Sequence, residues 1–506
     1  MLMYKKKTVF LTGATGNMGS CGLKELMKEP SKFNVVILVR QSAKNIEMLK
    51  QYEGLSNIKI VWGDLNNYND VKTCVEGVDI ILHVAAFVSP EADYHPEQAM
   101  KVNYGSTVNI INAIKESKNP DNIKFVYIGT VAQTGDRMPP IHWGRVGDPI
   151  KPSVHDYYAV SKIAAERAVI ESGLKYWVSL RQTGIFSRHM IDIDDGIMFH
   201  NCLDNVLEYV SDHDSGVLLK NVCENLPEDF WGHIYNIGGG KKARIDTYHM
   251  YKEMFELMGL TKIEYALDAN WFATRNFHGH YYLDSDKLEN YLHFRSHGKE
   301  YLFELYKKAN AKAIKTAKVI TKLPGGQKLI GSAVRKQFEK TAKTEHGPLY
   351  WVDNNKLDYI EPFFISKEAR DAISPSLKEF KPYTDYDRVV HIDHGYDETK
   401  PESMLNIEDL KKAAEFRGGK LMSDDMTMGD MRTKLSFKCA FGHSFVASPR
   451  LVLEGGHWCP QCERESWNYH EVAKRSKFFA QVWYPLHTQN EPSKVYPKKV
   501  NELEHL

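Results

Sequence analysis

The sequence predicts an α/β fold built on a doubly wound parallel sheet, and three observations predict it. Short apolar β-type runs alternate with helical stretches over the first half of the chain. The first run ends directly in a glycine-rich turn that opens a helix. The hydrophobic fraction of 42% and aromatic fraction of 11% can fill large cores, which excludes disorder as the dominant state.

The first strand is read over Thr8–Thr12. Gly13-Ala-Thr15-Gly16-Asn17-Met18-Gly19 follows, and then a helix over Ser20–Lys28. Strand, glycine turn and helix form the context in which such spacing binds a dinucleotide. Gly13 permits the tight turn, Gly16 lets backbone approach a pyrophosphate, and Gly19 allows helix and strand to pack closely. The helix N-terminus then faces the phosphates.

The second strand, Asn34–Val39, ends in Arg40-Gln41-Ser42. A carboxylate there would take the ribose hydroxyls of NAD; an arginine and a serine suit a 2′-phosphate instead. NADP(H) is therefore expected over NAD(H). The third strand, Ile58–Trp62, leads to Asp64 and Leu65, where a carboxylate can accept from the adenine amino group. The fourth, Val78–Val84, is followed by Ala85-Ala86, small enough for a cofactor to lie against the strand end. A fifth over Phe125–Ile128 precedes Gly129-Thr130.

Tyr158 and Lys162 fall four apart inside a helical run, Asp156–Ser172, and so share a face. That pair suits acid/base chemistry: the ammonium of Lys162 favours phenolate and can reach the nicotinamide ribose, while Thr130 can donate to the substrate oxygen.

With these residues in order, residues 5–290 or so resemble the extended short-chain dehydrogenase/reductase superfamily, also called the NAD-dependent epimerase/dehydratase family. The resemblance rests on Gly13/Gly16/Gly19, Gly63-Asp64, His83-Val-Ala85-Ala86, Asn103, Thr130, Tyr158/Lys162, Arg181-Gln-Thr-Gly184 and Asn236-Ile-Gly238. It implies a Rossmann-type fold, with Tyr158 as general acid/base, Lys162 as its modulator, Thr130 in the family's Ser/Thr position and Asn103 in local support. Three positions depart from the family pattern. Gln182 stands where a proline is usual, Gly129-Thr130 where two serines are usual, and no acid follows the second strand.

A sugar dehydratase of this family carries an Asp-Glu pair after the catalytic Ser/Thr; here Val131-Ala132-Gln133 follows. The expected reaction is interconversion of a secondary alcohol and a ketone. A nucleotide-sugar epimerase/dehydratase is the alternative, and a dinucleotide-sensing regulatory or scaffold protein is the alternative from another class. Phe230, Trp231, Trp271, Phe272, Phe277, Tyr281 and Tyr282 make the expected substrate cap aromatic, as core residues or as the wall of a flat, steroid-like ligand site.

Three units are expected: 1–295 as the catalytic domain with its cap, 296–390 as a Lys-rich helical extension, and 391–506 as a C-terminal module. In the extension Leu302, Tyr306, Ala309, Ala313, Ala317 and Ile320 recur at helical spacing among lysines. Such a helix either packs on the body or lies on an anionic membrane surface. Residues 346–384 read as irregular cap or connecting structure, and Asp385–Arg417 as a linker.

Of seven cysteines, Cys21, Cys74, Cys202 and Cys223 lie singly, unlike a secreted disulfide framework. Cys439-Ala-Phe-Gly-His443 and, sixteen residues on, Cys459-Pro-Gln-Cys462 are spaced to close a tetrahedral Cys₃His site. Lys434–Cys462 resembles zinc-ribbon or treble-clef modules, which implies a structural zinc; His457 is an alternative ligand. The net charge of +1 gives no argument for nucleic acid. No apolar signal core follows Lys5-Lys6-Lys7, and no apolar run reaches about 18 residues. A cytoplasmic enzyme with a small-molecule substrate is expected, and a homodimer is compatible with the sequence.

Overall fold

The computed structural model describes residues 6–498. Seven parallel strands form the central sheet: β1 (Lys7–Thr12), β2 (Phe33–Val39), β3 (Ile58–Trp62), β4 (Ile80–His83), β5 (Lys124–Thr130), β6 (Tyr176–Gln182) and β7 (His233–Ile237). Their spatial order is β7-β6-β5-β4-β1-β2-β3. The order reverses beside β1, and in such sheets ligands bind at the strand carboxyl ends there. Helices α1 (Asn17–Met27), α2 (Ala43–Leu49), α3 (Tyr68–Val75), α4 (Ser106–Lys115) and α5 (Tyr157–Ile170) follow β1 to β5.

These strands are apolar on both faces because helices cover both. Val9, Leu11 and Ile37 pack into one core and Phe10, Ile81 and Phe125 into the other, all essentially without solvent exposure. Each such side chain contributes roughly 1.5–3 kcal/mol on burial.

Beyond the sheet, Val206–Glu208 pairs with Arg244–Asp246, and Ile185–Phe186 with Val210–Ser211, starting the cap. Of the two readings of the cap aromatics, core is the one observed. Phe230 and Trp231 pack into the sheet's own core, and Trp271 and Phe272 into the cap's core. Tyr281 and Tyr282 are also buried; only Phe277 is half-buried. These rings already have protein neighbours, so they do not form a free steroid-like surface.

The Lys-rich stretch forms three helices, Glu300–Ala309, Ala311–Ile320 and Gly326–Ala342, broken at Asn310 and Gly325. Its apolar stripe faces inward: Leu302 and Ala317 are buried, Tyr306, Ala309 and Ile320 half-buried, and Ala313 alone exposed. Of the two readings of this stripe, packing on the body is the one observed. Among the described residues no helix is long and apolar enough to cross a membrane. Residues 346–384, expected to be irregular, hold the short helices Pro348–Asp353, Leu357–Phe364 and Lys367–Asp371, whose Trp351, Ile360, Phe363 and Phe364 are buried.

The C-terminal part shares a core with the sheet. Leu410, Ala413, Phe437, Leu451, Val452 and Leu453 pack in one cluster with Phe125, Tyr127, Ala165 and Val169. The segment read as a linker thus carries a packed helix, Ile407–Phe416.

Candidate functional site

The turn after β1 is closed by contacts that only glycine allows at two positions. Gly13 has φ +69° and stands so close to Ala85 that a Cβ would lie 2.8 Å from its backbone. A Cβ on Gly19 would meet the Gly13 carbonyl at 2.1 Å. Gly16 differs: it is exposed, and only the Gly13 carbonyl, at 3.2 Å, comes near its Cβ position. Protein packing hardly needs that glycine, so an approaching ligand is the physical reason for it. Gly16 caps α1 without a side-chain hydrogen bond, and no acid occupies the first turn. Its N–H groups point into a position suited to an anion. Thr15 and Asn17 are half-buried in this turn and Met18 buried. Asn17 Nδ2 donates to Ser187 Oγ at 3.0 Å, tying the turn to the chain beyond β6.

The other expected cofactor residues collect around this turn. Thr12 Oγ1 accepts from the backbone N–H of Val84 and Ala85, both at 3.0 Å, which brings Ala85 and Ala86 beside the end of β1. Arg40 is exposed just past β2. Ser42 caps α2 by accepting from Asn45 N at 3.2 Å, which leaves its own O–H proton to donate. Asp64 accepts from Asn66 N at 2.9 Å, and the carbonyl of Leu65 from Asn109 Nδ2 at 2.9 Å, so both residues also brace the loop. The residues present thus fit a dinucleotide.

Thr130 ends β5, and α5 brings Tyr158 and Lys162 to it. Two carboxylates start α5: Asp156 caps Ala159 N at 2.7 Å, and Asp93 accepts from Tyr158 N at 3.1 Å. Burial and Asp156 raise Asp93 to about 8. The Thr130 side chain is near enough to the Tyr158 hydroxyl to lower its pKa. Lys162 Nζ donates to the carbonyl of Ile128 at 2.6 Å and sits over the Tyr127 ring.

The expected effect of Lys162 on the tyrosine is not what the geometry gives. Burial pushes Tyr158 up to about 12, against the lowering by Thr130, with Asp156 and Asp93 also raising it. Burial likewise lowers Lys162 to about 7, partly offset by Glu166. Both groups move toward their neutral forms, because desolvation outweighs a lysine held on a backbone carbonyl. Asn103 plays its expected supporting part: it accepts from Phe87 N at 2.7 Å and donates to Ser161 Oγ at 2.8 Å, joining the loop after β4 to α5.

One turn beyond Lys162, Glu166 is the centre of a buried network that the motifs did not signal. It accepts from Ser179 Oγ at 2.6 Å, Gln133 Nε2 at 2.7 Å and Arg181 Nη2 at 2.8 Å. Gln133 in turn accepts from Thr130 N at 3.1 Å. Burial works to raise the Glu166 pKa; Arg181 and His457 outweigh it and hold the carboxyl far below its usual range. The Gly129 departure acquires a reason here. A Cβ on Gly129 would stand 3.1 Å from Gln133 Oε1 and 3.4 Å from Glu166 Oε1, so a serine would press on the network.

The four expected metal ligands also converge. Cys439, His443, Cys459 and Cys462 present ligand atoms within 4.8 Å of one another. His457 is not among them; its Nε2 meets Glu166 instead.

A model of the NAD dependent epimerase/dehydratase family matches residues 9–210, the segment that holds the glycine turn, Thr130, Tyr158 and Lys162. That segment resembles this family. The chain is 28% identical over 116 residues to a UDP-N-acetylglucosamine 4,6-dehydratase (inverting) of Campylobacter jejuni, covering 23% of this chain and 34% of that protein. It is 27% identical over 119 residues to a UDP-glucose 4-epimerase of Rickettsia bellii, covering 23% and 35%. The matched stretch thus spans about a third of the length of these curated relatives. A dTDP-glucose 4,6-dehydratase from Streptomyces venezuelae, solved with NAD and DAU bound, aligns with TM-score 0.47 and 19% identity, covering 60% of this chain and 98% of that one.

Proposed function

We propose that this protein is an NAD(P)-dependent enzyme acting at a secondary carbinol carbon of a nucleotide-linked sugar, with epimerisation as the outcome. The observation that carries the reading is that α5 brings Tyr158 beside Thr130 at the end of β5, with Val131 and Ala132 following rather than acids. The sugar class is supported by relatives named as a UDP-sugar dehydratase and a UDP-glucose epimerase.

Gly16 and the uncapped start of α1 would hold the pyrophosphate, Asp64 the adenine side, and Lys162 the nicotinamide ribose. When bound, the cofactor accepts and returns hydride. Tyr158 must first give up its own proton, against the burial that raises its pKa; as phenolate it would take the hydroxyl proton when the carbinol C–H bond breaks and return it when that bond re-forms on the opposite face. Thr130 donates to the same oxygen, and the net change is inversion without net oxidation. Dehydration would need a further acid and base at neighbouring carbons, and positions 131 and 132 supply neither.

Arg40 favours a second reading, an NADP(H)-linked reductase of a ketone, because its exposed guanidinium suits a 2′-phosphate. Nucleotide released from the denatured protein, followed by NMR of UDP-glucose and UDP-N-acetylglucosamine incubated with it, separates the two. Retained cofactor and inversion without added NAD(P)H support epimerisation. Turnover only with stoichiometric NADPH supports the reductase. Conversion of the sugar to a 4-keto-6-deoxy product would refute the argument from Val131 and Ala132.

A further inference from the structure

The Cys₃His cluster and the Glu166 network are neighbours, and together they link the C-terminal module to the catalytic residues. Cys439 Sγ lies 3.8 Å from Cys462 Sγ, and His443 Nδ1 lies 3.2 Å from Cys462 Sγ and 3.5 Å from Cys459 Sγ. A tetrahedral zinc with Zn–S of about 2.3 Å has S–S edges of about 3.8 Å and slightly shorter N–S edges. The four side chains come from two turns, one between the paired strands Leu435–Lys438 and Ser444–Ala447, the other at the start of the helix Pro460–Glu465. Four protein ligands leave no open position, as in a structural site.

The second turn is also the segment that grips α5. Arg167 Nη2 donates to the carbonyl of Trp458 at 2.9 Å and to Glu463 at 2.8 Å. Arg181 Nη2 donates to the carbonyl of Gly455 at 2.7 Å. His457 Nε2 stands 3.0 Å from Glu166 Oε2. From there the bonds run through Gln133 to the backbone of Thr130, while α5 itself carries Tyr158 and Lys162.

We propose that Cys439, His443, Cys459 and Cys462 bind one zinc ion, and that the loaded site holds His457 against Glu166 and so positions Thr130 and α5. Without the ion, residues 455–463 lose the restraint that fixes two of their own side chains, Cys459 and Cys462, beside the first turn. His457 is a positioning residue: it acts through Glu166 and Gln133. The positional part rests on the catalytic reading above. The measurements below read metal and backbone protection, so they stand or fall independently of which substrate is turned over.

The test uses the full chain purified without added metal. Zinc per chain is measured by plasma mass spectrometry, and hydrogen exchange is followed in peptides covering 128–135 and 157–170. One zinc per chain is expected, lost in Cys459→Ser. Cobalt substitution should show the visible bands of a tetrahedral thiolate site. Cys459→Ser and His457→Ala should both speed exchange in the two peptides about tenfold or more, the scale of losing a hydrogen bond to a charged group. His457→Ala should keep its zinc, and His457→Gln, which can still donate to Glu166, should restore protection. Absence of metal, or a Cys459–Cys462 disulfide in its place, would overturn the site. Zinc at one per chain with unchanged exchange in Cys459→Ser and His457→Ala would overturn the positioning.

Discussion

His457 Nε2 and the Glu166 carboxylate stand 3.0 Å apart and fully buried, although 291 positions separate them in the chain. Glu166 also neutralises Arg181, which is 1% exposed. Glu166→Gln would leave a buried guanidinium without its counter-charge. A loss of about 3–5 kcal/mol is expected, read from urea unfolding. A change within about 1 kcal/mol would mean that water or another group compensates Arg181.

The glycine turn separates packing from ligand approach. Gly19→Ala places a methyl 2.1 Å from the Gly13 carbonyl, and a loss of about 1–3 kcal/mol is expected. Gly16→Ala meets only one atom, at 3.2 Å. It should leave the urea midpoint nearly unchanged while weakening dinucleotide binding about tenfold or more. Equal effects of the two variants on stability would show that Gly16 serves packing after all.

Burial of Lys162 gives stability a pH dependence whose sign is fixed. Its pKa is about 7 in the folded chain against an ordinary lysine value of 10.5. Between those values the unfolded chain binds the extra proton, so this residue's contribution to stability rises with pH across that window. Urea midpoints of the parent protein should therefore gain on those of Lys162→Met as pH increases from 7 toward 10. Parallel curves would place the Lys162 ammonium in a solvated setting.

Arg40 sets cofactor choice on this account. Arg40→Ala should weaken NADPH binding by about 10–100-fold, the scale of one charge-assisted hydrogen bond, and leave NADH nearly unaffected. Equal loss for both cofactors would assign Arg40 to the loop rather than to the 2′-phosphate.

The cofactor half is legible in the sequence because its signals are local. The strand read at Ile58–Trp62 is the strand observed, and the others with stated bounds shift by one or two residues at an end. Tyr158 and Lys162 share a helix, so their spacing alone places them together. The Glu166 network is not local. Glu166 lies one turn beyond Lys162, a visible hint, but its partners Gln133, Ser179 with Arg181, and His457 come from three separate segments. The cap aromatics left two readings open for a related reason: composition tells that rings are present, and only packing tells whether other side chains already cover them. The acidic stretch Asp385–Arg417 resembled a linker because its charges are frequent, while its buried apolar side chains, Ile392, Leu405, Leu410, Ala413 and Ala414, are spread among them.

The most direct test of the central claim is a titration of the purified chain, first freed of any retained nucleotide, with NADPH and with NADH, followed by nicotinamide fluorescence beside Tyr158→Phe. Saturable binding of at least one cofactor is expected in both proteins, with turnover in the variant reduced by about 10²–10⁴-fold. Failure of both cofactors to bind the folded parent protein would contradict the account at its base.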